Sequence, residues 1–302
     1  TSTSVSLAVG LAQARDLMHP DSTDNIVAVI GDGSLSGGLA FEGLNNAAKL
    51  HSNLIIVVND NQMAIDKDQG GLYQGLKELR DTNGKAENNI FKFMGLDYKY
   101  VADGNDLQTM IDAFKEVKNI DHPIVLHVNT LKGKGYKPAV EDKMDWHWQP
   151  PFDIKTGEVK KQESTENYSD AILTELGHQI DAGVPVVALN AVIPGVFNLK
   201  KFQAKYPDHY FDVGIAEQDS ITTAVAMATA GARPVVFQNS TFLQRAYDQL
   251  IHDMALNDAP VVMIVRGGTI ATNSATHQGT FDISMISNLP NIEYLAPTNV
   301  EE

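Results

Sequence analysis

The sequence predicts an α/β protein built from two doubly wound, mostly parallel sheets. Three observations carry this. Short apolar runs of strand length, such as Ile26 to Ile30, Leu54 to Val58 and Ile124 to Val128, alternate with stretches whose apolar residues recur at helical spacing, the pattern of strands joined by crossover helices. The 302 residues exceed one ordinary core. Between the two alternating regions, residues 137 to 166 carry Pro138, Pro150, Pro151, Gly157 and many charges, the composition of a linker. The domains expected are therefore 1–136 and 167–302.

Taken in order, Ser2 to Met18 reads as a helix, with Ser2 or Thr3 available as a cap and Val5, Leu7, Ala8, Leu11, Ala12 and Leu17 as its apolar face. Strand Ile26 to Ile30 ends in Gly31-Asp32-Gly33. A helix from about Gly38 to Leu50 follows, with Leu39, Phe41, Leu44, Ala47 and Ala48 inward. The next strand, Leu54 to Val58, ends in Asn59-Asp60-Asn61-Gln62-Met63. Gly70-Gly71 and Asn83-Gly84 punctuate helical pieces such as Leu72 to Leu79. Strand Tyr98 to Ala102, helix Leu107 to Val117 with Leu107, Met110, Ile111 and Phe114 inward, and strand Ile124 to Val128 complete the first domain, which closes on Lys132-Gly133-Lys134-Gly135-Tyr136.

The second domain alternates in the same way. A helix runs from Tyr168 to about Ile180. It is followed by strand Val184 to Leu189, helix Leu199 to Tyr206, strand Tyr210 to Val213 and helix Ser220 to Ala230. Strand Pro234 to Phe237, helix Phe242 to Leu256 and strand Val261 to Val265 complete the order.

Charge and composition exclude several function classes. With 23 Lys+Arg against 38 Asp+Glu the net charge is −15, which argues against sequence-independent binding of nucleic acid or of anionic membranes. Anionic small ligands stay open, because a few buried arginines can reverse the local sign. There is no cysteine, so no disulfide framework or thiolate metal site exists. No apolar stretch reaches the length of a membrane span and Thr1 opens no signal segment; the expectation is a soluble, cytoplasmic protein.

The chemistry gathers at the ends of the first two strands. Neighbouring strands would deliver Asp32 and Asn61 to one sheet edge, the side on which α/β sheets bind ligands. A carboxylate, an amide oxygen and a backbone carbonyl suit a hard divalent cation that completes its shell with phosphate oxygens. Asp32, the Asn61 side chain and the Met63 carbonyl could supply that set around Mg²⁺. Gly31 and Gly33 would allow close backbone approach. The plainer reading is that GDG is a strand-to-helix turn and NDN a polar loop.

GDG followed after a helix and a strand by NDN resembles the thiamine diphosphate (ThDP) and Mg²⁺ fingerprint of transketolase-like enzymes. With KGKGY at 132–136, DVGIAEQ at 212–218, STFLQRAYDQ at 240–249 and THQGTFD at 276–282, the sequence is more similar to the 1-deoxy-D-xylulose-5-phosphate synthases than to transketolase itself. The resemblance implies a transketolase-like ThDP-binding fold, with a diphosphate-binding first domain and a pyrimidine-binding second domain, and an excerpt trimmed at both ends. It implies decarboxylation of pyruvate and transfer of the two-carbon unit to glyceraldehyde 3-phosphate, in isoprenoid and thiamine precursor synthesis, by a homodimer. A transketolase-like enzyme with another ketose donor, and a ThDP-binding pseudoenzyme or regulatory subunit, are the alternatives.

The resemblance also implies residue roles. Thr1, Gly33, Ser34 and Asn61 would lie beside the diphosphate, Tyr136 near the cofactor, and Glu217 against the aminopyrimidine N1′, where burial would favour its neutral form. Glu217 also reads as a first-turn glutamate favoured by the helix dipole. Arg245 and Arg266 match positions that hold the acceptor phosphate, with a structural ion pair as the alternative for Arg245. His277 and His147 match histidines near the substrate, His277 as a proton shuttle; an aromatic patch holding the linker would account for Trp146 and Trp148. The sequence departs from the family pattern at Asn105 and, around the substrate and not around the metal, at Asp219, Asn239, Val265 and Asn273.

Overall fold

The computed structural model describes residues 1–68, 70–159, 168–268, 276–299 and 301–302. The chain divides into two compact units, Thr1–Lys161 and Gln162–Glu302. Asn273 and the last part of the expected linker, 160–166, lie outside the described residues.

In the first unit, β1 (Ile26–Gly31), β2 (Leu54–Asp60), β3 (Asp97–Val101) and β4 (Pro123–Asn129) form a parallel sheet in the order β1-β2-β4-β3. The register between β1 and β2 runs from Ile26 against Leu54 to Gly31 against Asn59, so the expected neighbouring of the two strands holds. Side chains on successive strand residues point to opposite faces. Ala28, Ile30, Leu54, Ile56 and Val58 accordingly meet α1 (Ser4–Met18), Leu35 of the short α2 (Asp32–Leu35), α3 (Gly38–Ala47) and α4 (Gly71–Asp81) on one face. Ile55, Val57, Leu126 and Val128 meet Ala113 and Val117 on the other, from the helix Leu107–Val117.

Helix positions match the expected ones more closely than helix faces do. α1 begins at Ser4, and its cap residue Thr3 makes no side-chain capping bond. Val5, Ala8, Val9 and Ala12 are buried, whereas Leu7, Leu11 and Leu17 are exposed. The cause is the close approach of α1 to α3: a Cβ on Gly43 would sit 2.9 Å from Ser6 Oγ and 3.1 Å from Val5 Cβ. Only small or slender side chains fit such a seam, so the leucines face away. α3 likewise buries Ala40, Gly43, Leu44 and Ala47 and leaves Leu39 partly exposed. In Leu107–Val117, Leu107 is exposed and Ala113 and Val117 are the buried pair. Residues 137–159, expected as linker, cluster with the first unit and carry a short helix, Lys137–Glu141. There Trp146 packs on Tyr136 and Phe152 with ring centroids 5.0 and 4.8 Å apart, the aromatic patch anticipated for Trp146, while Trp148 is exposed.

In the second unit, β5 (Val186–Asn190), β6 (Tyr210–Asp212), β7 (Arg233–Asn239) and β8 (Val262–Arg266) are parallel in the order β6-β5-β7-β8. The connection direction reverses at β5, which makes the carboxyl ends of β5 and β7 a topological switch point. The expected helix Phe242 to Leu256 is subdivided into Ser240–Leu243, a 3₁₀ turn Gln244–Ala246, Tyr247–Gln249 and a π-type turn Leu250–Ala255. β8 is an edge strand with Val262 and Val265 exposed, so Arg266 does not end a buried strand.

Candidate active site

The first cluster lies where β1 and β2 end. Asp32 is 1% exposed. Its Oδ2 accepts the backbone N–H groups of Asn61 (2.8 Å), Gln62 (2.6 Å) and Met63 (3.3 Å), and its Oδ1 accepts that of Gly33 (2.9 Å). The Asn61 Oδ1 accepts from Met63 N–H at 3.2 Å. The structure thus brings Asp32, Asn61 and Met63 to one spot. Three donors crowd Asp32 Oδ2, whereas Asp32 Oδ1 and Asn61 Oδ1 each take one and keep a lone pair free of protein. Gly33 is fixed by packing: a Cβ there would lie 2.5 Å from Ala64 Cβ, while at Gly31 it would meet no protein atom within 4 Å. Ser2 Oγ donates to the Ser34 carbonyl at 2.7 Å, which ties the start of α1, and with it Thr1, to the loop after β1.

Two further carboxylates stand close by, and sequence reasoning missed both. Asp60, fully buried, accepts from His127 Nε2 at 2.8 Å and from Arg80, and its Oδ1 accepts from Gln62 N–H at 3.2 Å. Burial alone would raise the Asp60 carboxyl, but the His127 hydrogen bond and the Arg80 charge outweigh it and hold it below the usual value. Asp68 has both carboxylate oxygens buried and without a hydrogen-bond partner. Burial, with the Asp32 and Asp60 charges behind it, pushes Asp68 up to about 8. Asp32 itself is raised to about 6, chiefly by burial and further by Asp60, against its backbone donors. An NDN motif draws attention to its asparagines, and Asp68 lies in a stretch without a motif; the only signal for either was an acid beside the loop.

A cation reaches this cluster from Lys132, whose Nζ donates to the Ala64 carbonyl and lies 3.1 Å from His147 Nδ1. Burial lowers Lys132 while the charges of Asp32 and Asp68 act the other way. His147 is lowered by burial and by Lys132. His147 therefore sits one lysine away from the β1 and β2 strand ends, and Tyr136 presents a buried hydroxyl with no partner.

The oxygen-only donor set, the spare lone pairs and the orphaned Asp68 oxygens fit a hard divalent cation. Among the described residues no group of three His, Cys, Asp or Glu side chains is arranged to hold a metal. The site instead draws on an amide and a carbonyl, donors of the kind Mg²⁺ uses alongside phosphate oxygens.

In the second unit Glu217 is the first residue of helix Glu217–Thr229, after β6, and is 4% exposed. Burial raises its carboxyl, with Arg245 acting against the rise. Arg245 Nη1 donates to Glu217 Oε2 at 2.7 Å, so the arginine is engaged in the ion pair named as its alternative. Arg266 donates to the Val196 carbonyl at the end of β8. The His277 ring stands edge-on to Phe242, 5.2 Å between centroids, with Thr276 Oγ1 2.9 Å from its Nδ1. Asn239 caps Ser240–Leu243, Asp219 is exposed in the first turn of Glu217–Thr229 and Asn105 accepts from Leu131 N–H at 2.7 Å. A surface cleft of about 360 Å³ lined by Asp170, His178 and Tyr206 contains none of these residues.

Both units are similar to known proteins. The family model described as 1-deoxy-D-xylulose-5-phosphate synthase matches residues 1–89 and 82–130, and that described as the transketolase pyrimidine binding domain matches 164–302. Proteins named 1-deoxy-D-xylulose-5-phosphate synthase from Halothermothrix orenii (39% identical, 100% of this chain, 53% of the relative) and Lachnoclostridium phytofermentans (38%, 99% and 53%) are among its relatives. One from Clostridium perfringens is 38% identical over 100% of this chain and 54% of its own length. The chain thus spans about half the length of the relatives it matches. A solved chain titled "Split gene transketolase, inactive beta4 tetramer" aligns over 41% of this chain and 39% of its own at 26% identity, with a TM-score of 0.35, too low to bear on the fold. Two family models that between them take in both units, and relatives that align along its whole length, place the chain in the 1-deoxy-D-xylulose-5-phosphate synthase family of transketolase-like proteins.

Proposed function

We propose that the chain carries the diphosphate and pyrimidine ends of a ThDP- and Mg²⁺-dependent transferase that decarboxylates pyruvate and passes the two-carbon unit to glyceraldehyde 3-phosphate, giving 1-deoxy-D-xylulose 5-phosphate. The observation that carries this reading is the meeting of Asp32, Asn61 and Met63 at adjacent strand ends, in a chain of this family. Asp32 Oδ1, Asn61 Oδ1 and the Met63 carbonyl would hold Mg²⁺, and Thr1, Gly33 and Ser34 would lie along the diphosphate. ThDP, when bound, supplies the nucleophilic carbon and the electron sink that decarboxylation needs.

Glu217 keeps Oε1 free of Arg245, and its burial favours holding a proton at that oxygen toward the aminopyrimidine N1′. Arg266, His277 and His147 are the groups proposed to meet substrate, Arg266 by its charge. Arg245 is proposed both to fix the Glu217 side chain and to face the acceptor phosphate. A homodimer is the expected assembly.

The test supplies the full-length protein with ThDP and Mg²⁺ and either pyruvate with glyceraldehyde 3-phosphate or xylulose 5-phosphate with an aldose phosphate. Release of CO₂ that requires the first pair supports the synthase. Turnover with the second pair alone reassigns the protein to transketolase chemistry. Cofactor binding without either turnover identifies a pseudoenzyme, a reading favoured by the Arg245 charge lying against the acid that should stay neutral.

A further inference from the structure

Gln62 has φ +67°, a left-handed conformation that disfavours residues with a Cβ. It stands between Asn61 and Met63, so its backbone sets where their oxygens point. Its N–H is held by Asp32 Oδ2 at 2.6 Å and by Asp60 Oδ1 at 3.2 Å, and its side chain is exposed. Nothing that the side chain contacts therefore explains the conformation. The two carboxylates do.

Asp60 is itself anchored from three elements. It ends β2, its Oδ2 takes Arg80 from Gly71–Asp81, and the same oxygen takes His127 Nε2 from β4. His127 is fully buried and its Nδ1 lies 2.8 Å from the Tyr98 hydroxyl of β3. One proton arrangement satisfies all members: Tyr98 O–H donates to Nδ1, and Nε2–H donates to Asp60. Burial raises the Tyr98 hydroxyl well above its ordinary value, which keeps it a donor. His127 is also boxed by Phe91, Tyr98 and Tyr100, with ring centroids 6.2, 5.9 and 5.3 Å away. A side chain locked from three sides and spending its other oxygen on one strained backbone N–H is built to position that residue.

We propose that Asp60, backed by His127 and Arg80, is a positioning residue: it holds Gln62 in its left-handed turn and thereby aims the Asn61 side-chain oxygen and the Met63 carbonyl at a divalent cation. This rests on the metal site proposed above. Asp32 would touch the ion; Asp60 would not, and would act chiefly through the loop, as outer partners do in metal sites, where their loss typically weakens binding about 10- to 100-fold.

The experiment titrates Mg²⁺ into the full-length protein at fixed ThDP by calorimetry, with thermal melts of the metal-free protein alongside. Asp60→Asn is expected to raise the half-saturating Mg²⁺ concentration by about 10- to 100-fold. Adding Gln62→Gly to that variant should recover about five- to tenfold, because glycine adopts the left-handed turn without help. An Asp60→Asn protein with a lower Tm but unchanged Mg²⁺ titration overturns the proposal and leaves Asp60 a core ion pair. If Asp60→Asn does not fold, Gln62→Val decides. It leaves the buried network intact and opposes the left-handed turn, so weaker Mg²⁺ binding at near-normal Tm supports the proposal and unchanged binding overturns it. Asp32→Ala is the separate control: Mg²⁺-dependent ThDP binding that survives it removes the metal site itself, and the proposal with it.

Discussion

Asp32 anchors a loop and is the proposed metal ligand, and its substitution should expose both. As the proposed ligand it would offer Oδ1; as a loop anchor it gathers the N–H groups of residues 61–63 on Oδ2. Asp32→Ala is expected to abolish Mg²⁺-dependent ThDP binding, read by calorimetry. Glu217→Gln keeps the shape and the Arg245 contact but cannot lend a proton in the same way, so binding should persist while turnover falls by about 10²- to 10⁴-fold. Full activity in that variant would remove Glu217 from the mechanism. Asp68 supplies a pH signature. In the folded metal-free protein it keeps its proton to about 8 and Asp32 keeps its own to about 6, against an ordinary carboxylate value of 3.8. The folded state therefore binds more protons than the unfolded chain across that interval, and stability falls as pH rises from about 4 to about 8. In Asp68→Asn the fall should be shallower and Tm at pH 8 higher, measured by melts in a chelator. A slope equal to that of the parent would show that Asp68 ionises without penalty.

Secondary structure was largely readable because apolar runs and turn residues are local signals. β2, β4, the helix Leu107–Val117 and the opening of a helix near Glu217 fell within a few residues of expectation. Packing faces were not, because they depend on what lies opposite. Leu7, Leu11 and Leu17 looked like the buried side of α1, yet the seam with α3 admits only Val5, Ala8, Val9 and Ala12 beside Gly43. The same limit hid Asp60, His127 and Arg80, which meet across separations of 20 to 67 residues. The candidate metal-site motif was visible because its residues end two strands; its supports were invisible because His127 comes from β4 and Arg80 from the helix Gly71–Asp81. The seam predicts opposite signs for one chemical change. Gly43→Ala should cost about 1 to 3 kcal/mol of unfolding free energy by overpacking α1 against α3. At Gly10 of α1 a Cβ would meet nothing within 4 Å, and Gly10→Ala should stabilise by about 0.5 to 1 kcal/mol through lower backbone entropy in the unfolded chain. Urea unfolding of the two variants measures both, and equal effects would mean that the helices do not meet at Gly43.

At the scale of the whole chain, the sequence spans about half the length of its relatives. The alignment to the Halothermothrix orenii protein spans 342 positions against 302 residues here, so that protein carries segments this chain lacks. What bears on the proposed metal site across the whole molecule is charge. A net charge of −15 opposes compaction by self-repulsion, and of the three buried acids at the site Arg80 pairs only with Asp60, while Asp32 ionises above about 6 and Asp68 above about 8. Two responses to ions should then separate. Sodium chloride screens the exposed charges over a Debye length of about 10 Å at 0.1 M, so Tm of the metal-free protein should rise gradually with salt in the parent and in Asp32→Ala alike. Magnesium at matched ionic strength should add a further, saturable rise, since an ion bound only by the folded state stabilises it by about 2.7 kcal/mol at 100 times its Kd. That second rise should vanish in Asp32→Ala and shrink in Asp68→Asn. A magnesium response no larger than that of sodium at equal ionic strength would mean that the buried carboxylates hold no ion in the protein without ThDP, and that the diphosphate must bring the metal with it.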